Sequence, residues 1–132
     1  ASHEARFAVS GINLGLFCAT PAVALSRNIH PKHAMEMLLT GEFISPDKAQ
    51  NLGLINRVVP AEELTSATRE LANTISQKAR AAVRTGKAMF YPQLDMELGK
   101  AYAYASDHMV NNLKDADTQS GLNAFINKKS RN

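Results

Sequence analysis

The sequence predicts an α+β chain that is mostly helical. Apolar residues recur at helical spacing over most of the length beyond residue 19, whereas β-branched alternation is confined to two short runs, and proline and glycine stand where helices should start and stop. At 132 residues with 45% apolar and 20% charged side chains, the chain is ordered and globular, one domain at most.

The first β-like run is "EARFAV", in which Phe7 and Val9 alternate with smaller or polar neighbours. It gives way at Gly11 to a glycine-containing loop. Thr20 as cap and Pro21 in the first turn predict a helix to about Arg27, with Val23 and Leu25 partly buried. Since a residue before proline disfavours helix, His30-Pro31 restarts the chain. The next helix, "PKHAMEMLL", puts Ala34, Met35, Leu38 and Leu39 on one face and stops at Gly41. "ISPDKAQNLG" repeats that grammar, with Ser45 as cap, Pro46 and Asp47 in the first turn and Gly53 at the end.

"LINRVV" is short and β-branched, hence the second strand. Beyond Pro60, Leu64, Ala67, Leu71 and Ile75 mark a long amphipathic helix. "AAVRTGKAMFY" is a helix weakened by Gly86 and ended by Pro92. Leu98, Tyr102, Ala105 and Met109 stripe the following one, and Asp115 or Asp117 caps the last, where Leu122, Phe125 and Ile126 share a face. Two isolated strands cannot hold a sheet by themselves. They need partners outside this chain.

Composition narrows the function classes. No apolar run approaches the roughly 20 residues of a membrane helix. "ASHEAR" carries neither an initiator methionine nor a signal-peptide pattern, so the expectation is a chain trimmed upstream or a piece of a longer one. One cysteine, Cys18, excludes an intrachain disulfide and points to a reducing compartment. The net charge of +3 is scattered apart from the tail "NKKSRN", without aromatic interleaving, which argues against nucleic-acid binding.

Candidate chemistry is sparse. Cys18 lies just before a helix N-terminus, where a thiolate is stabilised, but a lone cysteine is more often a small buried apolar residue. His30 and His33 lack an acidic or thiol companion at metal-ligand spacing and read as a surface pair; His3 and His108 stand alone. Glu36 and Glu42 read as solvated charge. No metal site and no phosphate-cradling glycine motif is expected.

Taken together, "ARFAVSGINLGL", "HAMEMLLTGEFISPDKAQNLGLINRVVP" and "GLNAFINKK" resemble the crotonase (enoyl-CoA hydratase/isomerase) family over nearly the whole chain. "GINLGLFCATP" looks most like one subgroup, mitochondrial in animals and with bacterial relatives. The resemblance covers the C-terminal half of a family subunit. It implies that residues 1–59 are the last portion of a ββα core spiral and residues 60–132 a helical trimerisation region, giving a homotrimer or a dimer of trimers. It also implies a mitochondrial-matrix protein in a eukaryote or a cytoplasmic one in a bacterium, not secreted.

Family members bind an acyl-CoA, polarise its thioester with two backbone N–H groups, and use two carboxylates to add water. Both backbone donors and one carboxylate belong to the half not matched here. The other carboxylate stands, in the family, at the position of Gly11, which has no side chain and transfers no proton; Glu4, at the far end of the strand, does not reach the spot. No catalytic residue is therefore assigned. The likeness implies that Phe125 and Lys128 approach the adenine and phosphates of coenzyme A, and that the loop from Leu16 to Ala19 meets the thioester end. Phe125 reads equally as core of its helix. Coenzyme A enters as part of the substrate, with no separate cofactor. Two functions stay open: a hydratase- or isomerase-like enzyme completed by a longer form or an assembly, and a non-catalytic CoA-binding or assembly module.

Overall fold

The computed structural model describes residues 1–129, with side chains as far as Asn127. They fall into two compact units, one spanning Ala1–Arg69 and the other beginning at Glu70.

The first unit is built on three short helices, α1 (Ala19–Ser26), α2 (Pro31–Thr40) and α3 (Pro46–Asn51). Leu25, Ile29, Ala34, Met37, Leu38, Ile44 and Ala49 form its core, and Phe7, Val9, Cys18 and Ala22 pack against them. The ends of α2 and α3 follow the predicted punctuation. Pro31 opens α2 and Gly41 closes it at φ 62°; Ser45 Oγ accepts the Lys48 N–H at 3.2 Å to cap α3, and Gly53 follows at φ 80°.

Four expectations for this unit need correction. Neither predicted strand forms: among the described residues, β pairing is limited to single bridges, Phe7 to Ile44 antiparallel and Ser2 to Val59 parallel. Ladder energy accumulates only when neighbouring residues also find lateral partners, and here they do not. Thr20 does not cap α1. The helix starts two residues earlier, with Cys18 in the cap position and no side-chain cap bond. Val23 is exposed while Leu25 is buried. On α2 the inward face is Ala34, Met37 and Leu38, leaving Met35 and Leu39 in solvent; the helix packs on both α1 and the loop carrying Ile12 and Asn13, and those contacts select the buried face.

A turn at Ala61–Glu63 leads into α4 (Leu64–Ser76), which crosses the division between the units. The second unit holds α5 (Arg80–Gln93), α6 (Leu98–Leu113) and α7 (Ala116–Lys129), packed on one another. Pro92 sits in the last turn of α5 instead of ending it at Tyr91. Asp115 caps α7, its carboxylate accepting the Asp117 N–H at 3.0 Å. Among this unit's described apolar residues only Ala81 is buried. The predicted stripe on α6 exists, but Leu98, Tyr102 and Met109 are 71%, 70% and 63% exposed. No described helix is long and apolar enough to cross a membrane.

Candidate functional site

The segment between Val9 and α1 winds through a short 3-10 turn, Ser10–Leu14, and reverses at Gly15 (φ 76°). Two bonds close the loop on itself: the Gly15 N–H donates to the Ile12 carbonyl and the Leu16 N–H to the Gly11 carbonyl, each at 3.0 Å. Ile12 and Asn13 lean on the end of α2, where an added Cβ at Gly41 would meet Ile12 Cγ2 at 2.8 Å and Asn13 Nδ2 at 2.9 Å.

Gly11 is boxed in by this closure. An ideal Cβ there would collide with Cys18 Sγ and approach the Leu16 carbonyl oxygen at 2.8 Å. Real Cβ atoms are essentially never found so close to another heavy atom. Position 11 therefore lacks a carboxylate, and it also lacks room for one while residues 16–18 keep their path. The space a side chain would need is filled by a thiol and a backbone carbonyl.

Gly11 and Leu16 are joined directly, while Ala19 is the exposed first residue of α1. The Leu16 side chain faces solvent. Phe17, between them, begins an open groove of about 300 Å³ between α1 and α2, lined also by Ala22, Val23, Arg27, Met35 and Leu38. Phe125 lies exposed on α7, in the second unit. The Lys128 side chain lies outside the described residues.

The remaining candidates have ordinary structural partners. His30 Nδ1 accepts the Lys32 N–H at the start of α2. Glu36 pairs with Lys48 at 3.1 Å and stands 3.9 Å from His33. The hydrogen bond and positive charge of Lys48, with a smaller contribution from His33, hold the Glu36 carboxyl below its ordinary value. His108, expected to stand alone, packs edge-on against Tyr104 with ring centres 4.5 Å apart. No group of three His, Cys, Asp or Glu residues is placed to hold a metal ion among the described residues.

Sequence reasoning missed two features. Cys18 walls off Gly11, a contact visible only once the loop is closed. A second groove, of about 330 Å³, is lined by Ile75, Lys78, Arg80, Val83 and Arg84. Its signal was available: no acidic residue occurs between Glu70 and Asp95, while Lys78, Arg80, Arg84 and Lys87 all do.

A tight glycine loop thus leads into α1 beside a groove, and the segments around Phe7 and Val59 pair only through single bridges. The chain matches the enoyl-CoA hydratase/isomerase family over residues 1–132, and it belongs to that family. Among curated relatives, the mouse mitochondrial enoyl-CoA hydratase domain-containing protein 3 is 50% identical over 129 residues, covering 98% of this chain and 43% of that protein. The crotonyl-CoA hydratase of Syntrophomonas wolfei is 29% identical over 136 residues, covering 100% of this chain and 51% of that protein. Of solved structures, an enoyl-CoA hydratase of Mycobacterium smegmatis superposes with a TM-score of 0.95 at 51% identity, over 97% of this chain and 50% of its own. The human domain-containing protein 3 superposes at 0.93 with 48% identity, over 97% of this chain and 51% of its own. The chain thus spans about half the length of the relatives it matches.

Proposed function

We propose that this chain supplies the acyl-CoA-binding C-terminal half of a crotonase-type protein that handles thioesters without a side-chain acid at position 11. The observation that carries the reading is the closed loop around Gly11. Hydration needs a proton donor or acceptor within hydrogen-bond reach of the substrate's α-carbon. Bare backbone walled in by Cys18 Sγ and the Leu16 carbonyl offers none. What the site does offer is shape: the backbone from Leu16 to Ala19 for the thioester end, and the groove beginning at Phe17 for an apolar acyl group. Phe125 and Lys128 are assigned to the adenine and phosphates of coenzyme A.

The test is direct. The purified chain is mixed with crotonyl-CoA and loss of the conjugated thioester absorbance is followed, while calorimetric titration with the same compound measures binding. Binding without turnover supports the reading; turnover at hydratase-like rates overturns it.

A second reading, assembly without chemistry, is favoured by the exposed apolar stripe of α6. It makes the chain a trimerising module, as a homotrimer or a dimer of trimers. Sedimentation that finds a stable monomer at micromolar concentration refutes it. The compartment that fits either reading is the mitochondrial matrix for an animal protein and the cytoplasm for a bacterial one, in keeping with the mitochondrial relatives.

A further inference from the structure

We propose that the groove at the start of α5 binds the phosphate group of a small organic phosphate ester. The groove is open and about 330 Å³ in volume, with Lys78, Arg80 and Arg84 around it and Ile75 and Val83 as its apolar surface. Arg80 and Arg84 are four residues apart on α5 and so project from one side of it. Among the described residues the ion pairs are those of Glu36 with Lys48 and His33, and none involves these three cations.

The arrangement is unfavourable as it stands. The first turn of a helix disfavours positive charge, yet Arg80 opens α5, with Arg84 one turn further on, Lys78 just before the helix and no acidic residue between Glu70 and Asp95. Like charges four apart on a helix also repel. A bound dianion relieves both penalties at once. Three cations suit a phosphate monoester, with a charge of about −1.5 to −2, better than a singly charged carboxylate. Guanidinium groups pair with phosphate oxygens in a bidentate fork, and Lys78 adds a point charge. Ile75 and Val83 leave room for an apolar ester group on the same surface.

The experiment is titration of the isotopically labelled full chain at low ionic strength with phenyl phosphate, and separately with inorganic phosphate, followed by amide chemical shifts. The expected result is saturable shifts concentrated on residues 75–84, tighter binding of phenyl phosphate than of inorganic phosphate, and weakening as salt is raised. Arg80→Gln combined with Arg84→Gln should weaken binding roughly tenfold or more, since two charge-assisted contacts are lost. Lys128→Gln should leave it unchanged. No saturable shift, shifts centred elsewhere, or binding abolished by Lys128→Gln would each overturn the proposal. Should the double variant fail to fold, the shift map on the unaltered chain decides by itself.

Discussion

Placing a methyl group at position 11 tests the closed loop with the smallest possible change. The Cβ of Gly11→Ala would overlap Cys18 Sγ and lie 2.8 Å from the Leu16 carbonyl oxygen. The Leu16 carbonyl does not yield freely, and the Cys18 thiol can move only by turning about its own side-chain bond, because the backbones of both residues are held. Leu16 is tied to Gly11 by its own N–H at 3.0 Å, and the Cys18 carbonyl accepts the Ala22 N–H at 3.0 Å in the first turn of α1. Overpacking of this kind typically costs about 1–3 kcal/mol. In a chain of this length each kilocalorie lowers the melting midpoint by roughly 3–6 °C. Gly15→Ala is the internal control: its φ of 76° carries a left-handed penalty of roughly 1–2 kcal/mol, but nothing lies within 4 Å of the added atom. Urea unfolding followed by far-UV circular dichroism is the assay. Adding Cys18→Gly to Gly11→Ala should recover part of the loss, since one of two contacts is removed. For the same reason Gly11→Glu should not create hydratase activity. Gly11→Ala within about 0.5 kcal/mol of the parent would refute the steric box.

Three further outcomes follow from local geometry. Gly41→Ala combines a left-handed φ of 62° with contacts at 2.8 Å to Ile12 and 2.9 Å to Asn13, so urea melts should show a loss of about 2 kcal/mol or more. Ser45→Ala removes the bond from the Lys48 N–H and should cost about 1 kcal/mol by the same assay, most of it regained by Ser45→Asp. The Glu36 carboxyl titrates lower in the folded chain than its ordinary 4.5, so its contribution is present above that value and is lost as pH falls through the lowered folded value. Glu36→Gln should flatten that part of the stability-versus-pH curve, and added salt should mute the difference.

The helices were largely legible because their signals are local. Pro31, Gly41, Ser45 and Gly53 act through their own backbone or the next turn, and each does what its residue type dictates. Faces were read less well. Met35 and Leu39 fit the inward stripe of α2 as well as Met37 does, and which of them is buried depends on where the rest of the unit packs. The strands failed because a strand is a relation between segments: Phe7 and Val59 each find one bridging residue and no ladder. At the candidate site, the missing acid at Gly11 could be read from a family pattern, but the reason no side chain fits could not. The cations of the α5 groove stand out in the charge pattern, but that they border one groove depends on the turn before α5.

The sequence by itself determined the family, the helical content and the positions where helices begin and end, because motif, periodicity and capping act over a few residues. Only the tertiary structure decided that Gly11 is a filled position and that Lys78, Arg80 and Arg84 border one groove. Both are properties of distances between atoms that chain order leaves free: a thiol seven residues on reaches back over a glycine, and the turn between α4 and α5 brings like charges to one edge.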